Sequence, residues 1–274
     1  MDESISSTVN AELSTEVPVI LLVGGMGTRM GADAGDLPKH LVPVGGRPIL
    51  WHVMRLYSHF GHNDFVFPLG ARGESFRRYF MDFRTLNYPL HVQLGDAAYS
   101  SETSGAEIKW NITLFDAGLS TNKGARVRLA AQRSSSPRFM VTYGDGIGDI
   151  DISAVLAFHR KHGRLATVTG YQPFSQYGML DVDDQGRVRE MREKPRLPQW
   201  VNAGFMVFER AALDFFGVDD GVDLEKDVLP KLVAGGELMM YRHAGYWSSM
   251  DTFKDAQVLS DAWEAGAPWK LWSE

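Results

Sequence analysis

The chain has 274 residues, with 28 Lys and Arg against 34 Asp and Glu and a formal net charge of -6. No basic block offers itself to a nucleic-acid backbone, no apolar run approaches the ~20 residues of a membrane span, and 44% hydrophobic with 23% charged residues is a globular composition. Cysteine is absent, which excludes a disulfide framework and thiolate metal sites and fits a reducing, cytoplasmic setting.

Residues 1–16 are acidic and rich in Ser and Thr, without the basic and apolar regions of a signal peptide. They read as a disordered leader to a single domain over 17–274. Residues 17–23 form a continuous apolar run, as expected of a buried parallel strand. A Gly/Asp-rich loop follows, and Pro48 then opens a helix in which Leu50, Val53, Met54 and Tyr57 share one face. Residues 64–69 read as a strand, 74–84 as a helix and 90–94 as a third strand. Over 107–114 the apolar residues Ile108, Trp110, Ile112 and Leu114 alternate with polar ones.

A helix over 122–132, a buried strand over 139–143, a helix carrying Ile152, Val155, Leu156 and His159, and a strand over 165–171 come next. Residues 178–194 predict a hairpin about an Asp-Asp-Gln-Gly turn. A strand over 201–208, a helix over 224–232 interrupted by Pro230, and a last helix carrying Phe253, Ala256, Leu259 and Trp263 complete the chain. The two tryptophans of the tail APWKLW are expected to dock on the body or on a neighbouring subunit. His52 and His59 read as packing or capping residues, and Met239 and Met240 as core. The strand–helix alternation predicts an α/β fold with a doubly wound, mixed but mostly parallel sheet.

Ligands of such a sheet bind at the carboxyl ends of its strands, and three candidate stretches fall there. After the first strand, Gly24, Gly25 and Gly27 can bring backbone N–H groups onto phosphate oxygens, with Arg29 and Lys39 as nearby cations. The loop matches neither common template: a dinucleotide fingerprint would need its third glycine at Met30, and no glycine precedes a Lys-Ser or Lys-Thr pair. After the strand over 139–143, Asp145 stands between Gly144 and Gly146, where a carboxylate is exposed as a Mg²⁺ ligand must be; an Asp-Gly turn is the plainer alternative. Asp251 precedes the last helix, either as a helix cap or as a second ligand. A phosphate loop, two cations and two carboxylates suffice for phosphoryl or nucleotidyl transfer.

LLVGGMGTRM followed by LPKHLVPVGGRPILWH resembles the signature of the sugar-1-phosphate nucleotidyltransferases. WNITLFDAG, YGDGIGDIDI, YGMLDVD, the Glu-Lys-Pro of 193–195, NAGFMVF, GYWSSMDT and APWKLW are similar to the cytidylyltransferases of that family that act on glucose 1-phosphate. The resemblance implies a Rossmann-like nucleotidyltransferase fold with a small β-hairpin elaboration for the sugar. Residues 17–150 would be mainly the nucleotide-binding half, 151–252 mainly the sugar-phosphate half, and 253–274 a C-terminal helix and tail.

It further implies nucleotide contacts at Leu22, Val23, Gly24, Gly25, Gly27, Thr28, Arg29, Lys39, Ser120, Gly124, Ala125, Arg126 and Gly144. Mg²⁺ would be held by Asp145 and Asp251, and the sugar phosphate by Gly178, Glu193, Lys194 and Asn202. Arg29, Lys39, Asp145 and Lys194 would be catalytic. The partners implied are a nucleoside triphosphate and a sugar 1-phosphate, in a homo-oligomer. Departures occur at 37–40, at 100–109 and at 122–125, the last two where members of the family contact the base or close over the nucleotide, so UTP, dTTP, GTP or another sugar phosphate stays open. So do a regulatory relative without catalysis, which would have to explain why all the polar site residues are kept, and a dinucleotide oxidoreductase, which lacks a ribose-binding acid because Asp64 opens its strand instead of ending it.

Overall fold

The first apolar run is apolar throughout because both faces of its strand are covered. In the computed structural model, which describes residues 17–24, 37–88, 90–93, 98–101 and 108–273, β1 (Val19–Leu22) sends Val19 and Leu21 into one core and Ile20 and Leu22 into another. That is the pattern of a central strand between two helical layers. The leader falls outside the described residues.

Six more strands complete the sheet: β2 (Asp64–Leu69), β3 (Asn111–Asp116), β4 (Arg138–Tyr143), β5 (Ala166–Tyr171), β6 (Val201–Glu209) and β7 (Leu238–His243). Their order is β7-β5-β6-β4-β1-β2-β3. β6 runs antiparallel to both neighbours, and every other adjacent pair is parallel. The sheet is thus mixed and mostly parallel, as the sequence predicts.

The helices flanking the sheet are α1 (Ile49–His59), α2 (Gly73–Met81), α3 (Lys123–Ala131), α4 (Ile152–His162), α5 (Leu229–Ala234) and α6 (Phe253–Glu264); the helix expected over 74–84 breaks at Asp82, and Phe83–Asn87 forms a separate short one. Residues of α1, α2, α4 and α6 enter the core that holds Val19 and Leu21, and those of α3 and α5 enter the other. α1 buries Leu50, Val53, Met54 and Tyr57 at the expected spacing. Trp269 and Trp272 of the tail dock on the body, buried with this first layer.

Four readings change. Leu90–Gln93 is not a strand of the main sheet; it pairs antiparallel with Ala98–Ser101 in a separate ribbon. The third strand of the parallel set is β3, whose alternation reflects an edge position beside β2 alone. Met239 is 37% exposed, not core, because β7 is the opposite edge strand. Phe253 is also exposed, since it stands at the first position of α6 ahead of the buried turn. Around Pro230, which has no N–H to donate, the helix begins as a wide turn over Leu224–Val228, with Val228 N donating to Asp223 O at 3.3 Å, and then resets into α5.

His52 is a packing residue. Its Nε2 lies 2.9 Å from the Val44 carbonyl, and Trp269 Nε1 donates to its Nδ1 at 3.4 Å, so a neutral ring satisfies both contacts. His59 is exposed in the last turn of α1. Desolvation holds His52 and the likewise buried His40 at about 4, against 6.5 for a free imidazole. The unfolded chain therefore takes up protons on both rings as pH falls below 6.5, while the folded chain does not until about 4. Stability is expected to fall through that window by roughly 3 kcal/mol for each ring. Urea midpoints at pH 7 and near pH 4.5 test this; equal midpoints would contradict it.

Candidate active site

Three polar side chains far apart in sequence meet beyond the carboxyl end of β4. Lys39 stands on a short 3₁₀ turn (Lys39–Leu41) whose closing bond runs from Leu41 N to Pro38 O at 2.8 Å. Asp145 lies in the turn after β4, just before the short strand Gly146–Gly148. That strand pairs antiparallel with Trp247–Ser249, and Met250 N donates to Asp145 O at 2.9 Å. This two-stranded ribbon carries Asp251 to Asp145. Lys39 Nζ then forms an ion pair with Asp145 Oδ2 and donates to Asp251 Oδ1 at 2.9 Å.

Burial lowers the Lys39 ammonium, but the two carboxylates outweigh it, so its pKa lies above the ordinary 10.5 and the group stays charged. His40 sits behind Asp145, with Nε2 4.0 Å from its Oδ2, and burial keeps the ring neutral. The helix-cap alternative for Asp251 fails on geometry. The cap of α6 is Thr252, whose hydroxyl accepts from Asp255 N while the Asp255 carboxylate accepts from the N–H groups of Thr252 and Asp251. The Asp251 side chain is left for Lys39.

Gly25, Gly27, Thr28 and Arg29 lie outside the described residues. Gly24, at the end of β1, is described, and a Cβ there would stand 2.8 Å from Arg126 Nη1. Only glycine allows that approach. Arg126 is buried and donates to three main-chain carbonyls: Thr121 at 2.7 Å, Pro68 at 2.9 Å and Gly118 at 2.8 Å. It clamps the carboxyl ends of β2 and β3 beside Gly24. Leu22 and Val23 are buried, as is Gly144, whose N–H donates to Leu22 O at 3.2 Å. Ser120 is exposed in the turn before α3.

At the start of α3, Ala125 N donates to Val222 O at 3.2 Å, so the segment 218–225 covers Gly124 and Ala125. Lys123 and Tyr143 both hold Glu225: Lys123 pairs with its Oε2, and the Tyr143 hydroxyl donates to its Oε1. No motif near Glu225 signals this cluster in the sequence, because the two ends of the contact come from separate crossovers.

On the other side, the hairpin of Met179–Val182 and Val188–Arg192 is present as expected. At its base Ser175 N donates to Pro195 O at 2.9 Å, and Leu197 N to Pro173 O at 2.8 Å. Lys194 there has φ of 44°, a left-handed value that costs a non-glycine residue about 1–2 kcal/mol. Its ammonium is 3.8 Å from Glu193 Oε1 and both side chains are exposed. Gly178 faces Glu193, since a Cβ there would lie 3.1 Å from Glu193 Oε2. Asn202 opens β6 with its Oδ1 accepting from Gly204 N at 2.9 Å. Its neighbour Ala203 accepts from Trp247 Nε1 at 2.9 Å, tying this strand end to the ribbon that presents Asp145 and Asp251.

The structure therefore brings Lys39, Asp145 and Asp251 into direct contact and sets Asn202 beside the ribbon that carries them. Arg126 is inside the fold at the ends of β1 to β3, and Lys194 and Glu193 stand on the exposed base of the hairpin. The arrangement can neutralise a polyphosphate and hold a cation between two carboxylates. No described group of three or more His, Asp or Glu residues could hold a metal ion.

The family model for nucleotidyl transferases matches residues 18–261. The chain is 38% identical over 262 residues to glucose-1-phosphate cytidylyltransferase of Salmonella typhi, covering 92% of this chain and 98% of that one. It is 25% identical over 225 residues to UTP–glucose-1-phosphate uridylyltransferase of Synechocystis, covering 79% of this chain and 55% of that one. Among solved structures, HddC from Yersinia pseudotuberculosis complexed with GMP-PN superposes with a TM-score of 0.66 at 18% identity, covering 90% of this chain and 99% of that one.

Proposed function

The chain belongs to the nucleotidyl transferase family, and from that premise we propose that it transfers CMP from CTP to glucose 1-phosphate, giving CDP-glucose and pyrophosphate. The observation that carries this reading is the convergence of Lys39, Asp145 and Asp251 at the carboxyl end of the sheet. The near full-length similarity to a glucose-1-phosphate cytidylyltransferase supplies the base and the sugar.

In this reading an oxygen of the sugar phosphate attacks the α-phosphorus in line, and pyrophosphate leaves. The loop of Gly24, Gly25, Gly27, Thr28 and Arg29 wraps the triphosphate with its N–H groups, as the nests at strand ends do. Lys39 neutralises charge that grows on the leaving phosphates. Lys194, held in its left-handed turn, meets the sugar phosphate, with Glu193, Gly178 and Asn202 about the sugar hydroxyls. Leu22, Val23 and Gly144 offer main chain to the nucleotide. Ser120 is exposed on its base side, and Gly124, Ala125 and Arg126 act from beneath the surface by holding the turn before α3 in place.

Asp145 and Asp251 fit Mg²⁺, which takes one or two carboxylates and completes its octahedron with waters and substrate phosphates. Both already converge on one cationic nitrogen, that of Lys39. When bound, the ion would supply further neutralisation of the polyphosphate and fix its orientation. Lys39 would then give up its carboxylate contacts and turn to the phosphates. Assembly into a homo-oligomer belongs to the same proposal and is read by light scattering.

The departures at Asn122, Lys123 and Ala125 make base choice the sharpest test. Equimolar CTP, UTP, dTTP and GTP are offered together with glucose 1-phosphate, and the nucleotide sugars formed are resolved by mass. CDP-glucose is expected to dominate by tenfold or more, the discrimination a site hydrogen-bonding its base readily reaches. A UDP-, dTDP- or GDP-sugar in excess would overturn the assignment of CTP.

A further inference from the structure

A second pocket shares no residue with the carboxylate centre. It is a cavity of about 300 Å³ between α1 and the C-terminal tail, walled by Trp51, Trp263 and Trp272 and by Arg47, Arg55 and Lys270. None of the described residues lining it is acidic. Arg47 lies over the Trp51 ring at 5.6 Å, and Arg55 over Trp51 and Trp272 at 5.6 and 5.8 Å. Stacking on a ring leaves the in-plane N–H groups of a guanidinium available; of these, Arg55 Nη2 donates to Ser273 O at 3.4 Å. Burial lowers the Arg55 guanidinium from its ordinary value, with Tyr88 offsetting this in part. Trp51 Nε1 and Arg55 Nε are buried with no hydrogen-bond partner among the described residues.

The wall is also built with care for shape. Gly45 has φ of 57°, and a Cβ there would overlap Trp263 at 2.2 Å from Cδ1. Cations stacked on tryptophans are by themselves a common surface device. Here they surround a cavity large enough for a small ring compound, with no described carboxylate to neutralise the arginines.

We propose that this pocket binds a small phosphate-bearing ring compound, its phosphate on Arg47 and Arg55 and its ring against the tryptophan faces. A nucleotide and a sugar phosphate share that chemistry, and the test separates them. Hydrogen exchange of the full chain is followed with CMP and, separately, with glucose 6-phosphate. At least one ligand is expected to slow exchange in peptides covering 47–55 and 263–272. Arg47→Gln and Arg55→Gln are each expected to weaken that protection about tenfold, the worth of a charge-assisted contact. Arg47 is half-buried on the short strand Arg47–Pro48, so its variant keeps the test independent of how Arg55 packs. Protection by CMP alone assigns the nucleotide class, and by glucose 6-phosphate alone the sugar-phosphate class. No protection by either at millimolar concentration, or protection unchanged in both variants, would overturn the proposal. Transferase activity does not enter this readout, so the pocket and the catalytic reading can fail separately.

Discussion

Asp145→Asn is expected to lower turnover by roughly a thousandfold or more while leaving the melting temperature nearly unchanged. The substitution keeps the shape of the side chain and its place between Gly144 and Gly146, but removes the charge that pairs with Lys39. Chemistry that works by placing charge against phosphate oxygens loses most from such a change. The local fold does not depend on the carboxylate, because the Asp145 main-chain oxygen, not its side chain, accepts from Met250 N. Asp251→Asn is expected to act in the same direction, through the second contact to Lys39 Nζ. Steady-state turnover with a melting curve on the same preparation checks both. An Asp145→Asn enzyme within tenfold of the parent would remove the carboxylates from the mechanism.

Arg126→Met is expected to act in the opposite way, on stability first. The buried carbonyls of Thr121 and Pro68 and the part-buried one of Gly118 lose their donor together. Each unsatisfied buried group costs about 1–3 kcal/mol, so a total of roughly 3–5 kcal/mol is expected after local relaxation. For a chain of this size that is a drop of about 10 °C in Tm. KM for the triphosphate should rise as well, since the clamp lies against Gly24. If Tm held and only KM changed, Arg126 would be a ligand contact whose carbonyl bonds contribute little.

The fold was legible in the sequence where one local pattern decides it. The apolar run over 17–23 reads as a strand covered on both faces, and the spacing of Leu50, Val53, Met54 and Tyr57 as one buried helix face; both are present. Position within the sheet was less legible. Leu90–Gln93 and Met239 have the composition of core strands, and nothing local says that one forms a separate ribbon and the other an edge.

The site divides along the same line. Asp145 and Asp251 stood out by type and by their place in loops. Their meeting depends on the pairing of Gly146–Gly148 with Trp247–Ser249, a long-range register that no periodicity encodes. Arg126 was visible as a cation at a helix start, but its three carbonyl partners come from two other crossovers. The Lys123–Glu225–Tyr143 cluster had no signal at all. Its Lys123 belongs to the stretch 122–125 that departs from the family's usual motif, which makes the cluster a place to test base choice.

Isotope transfer tests the central claim most directly. Glucose 1-phosphate carrying heavy oxygen at its non-bridging phosphate positions is incubated with CTP and Mg²⁺, and both products are weighed by mass spectrometry. Attack of the sugar phosphate on the α-phosphorus predicts that all of the label stays in CDP-glucose and that the pyrophosphate is unlabelled. Labelled pyrophosphate, or CMP and pyrophosphate without a nucleotide sugar, would contradict it.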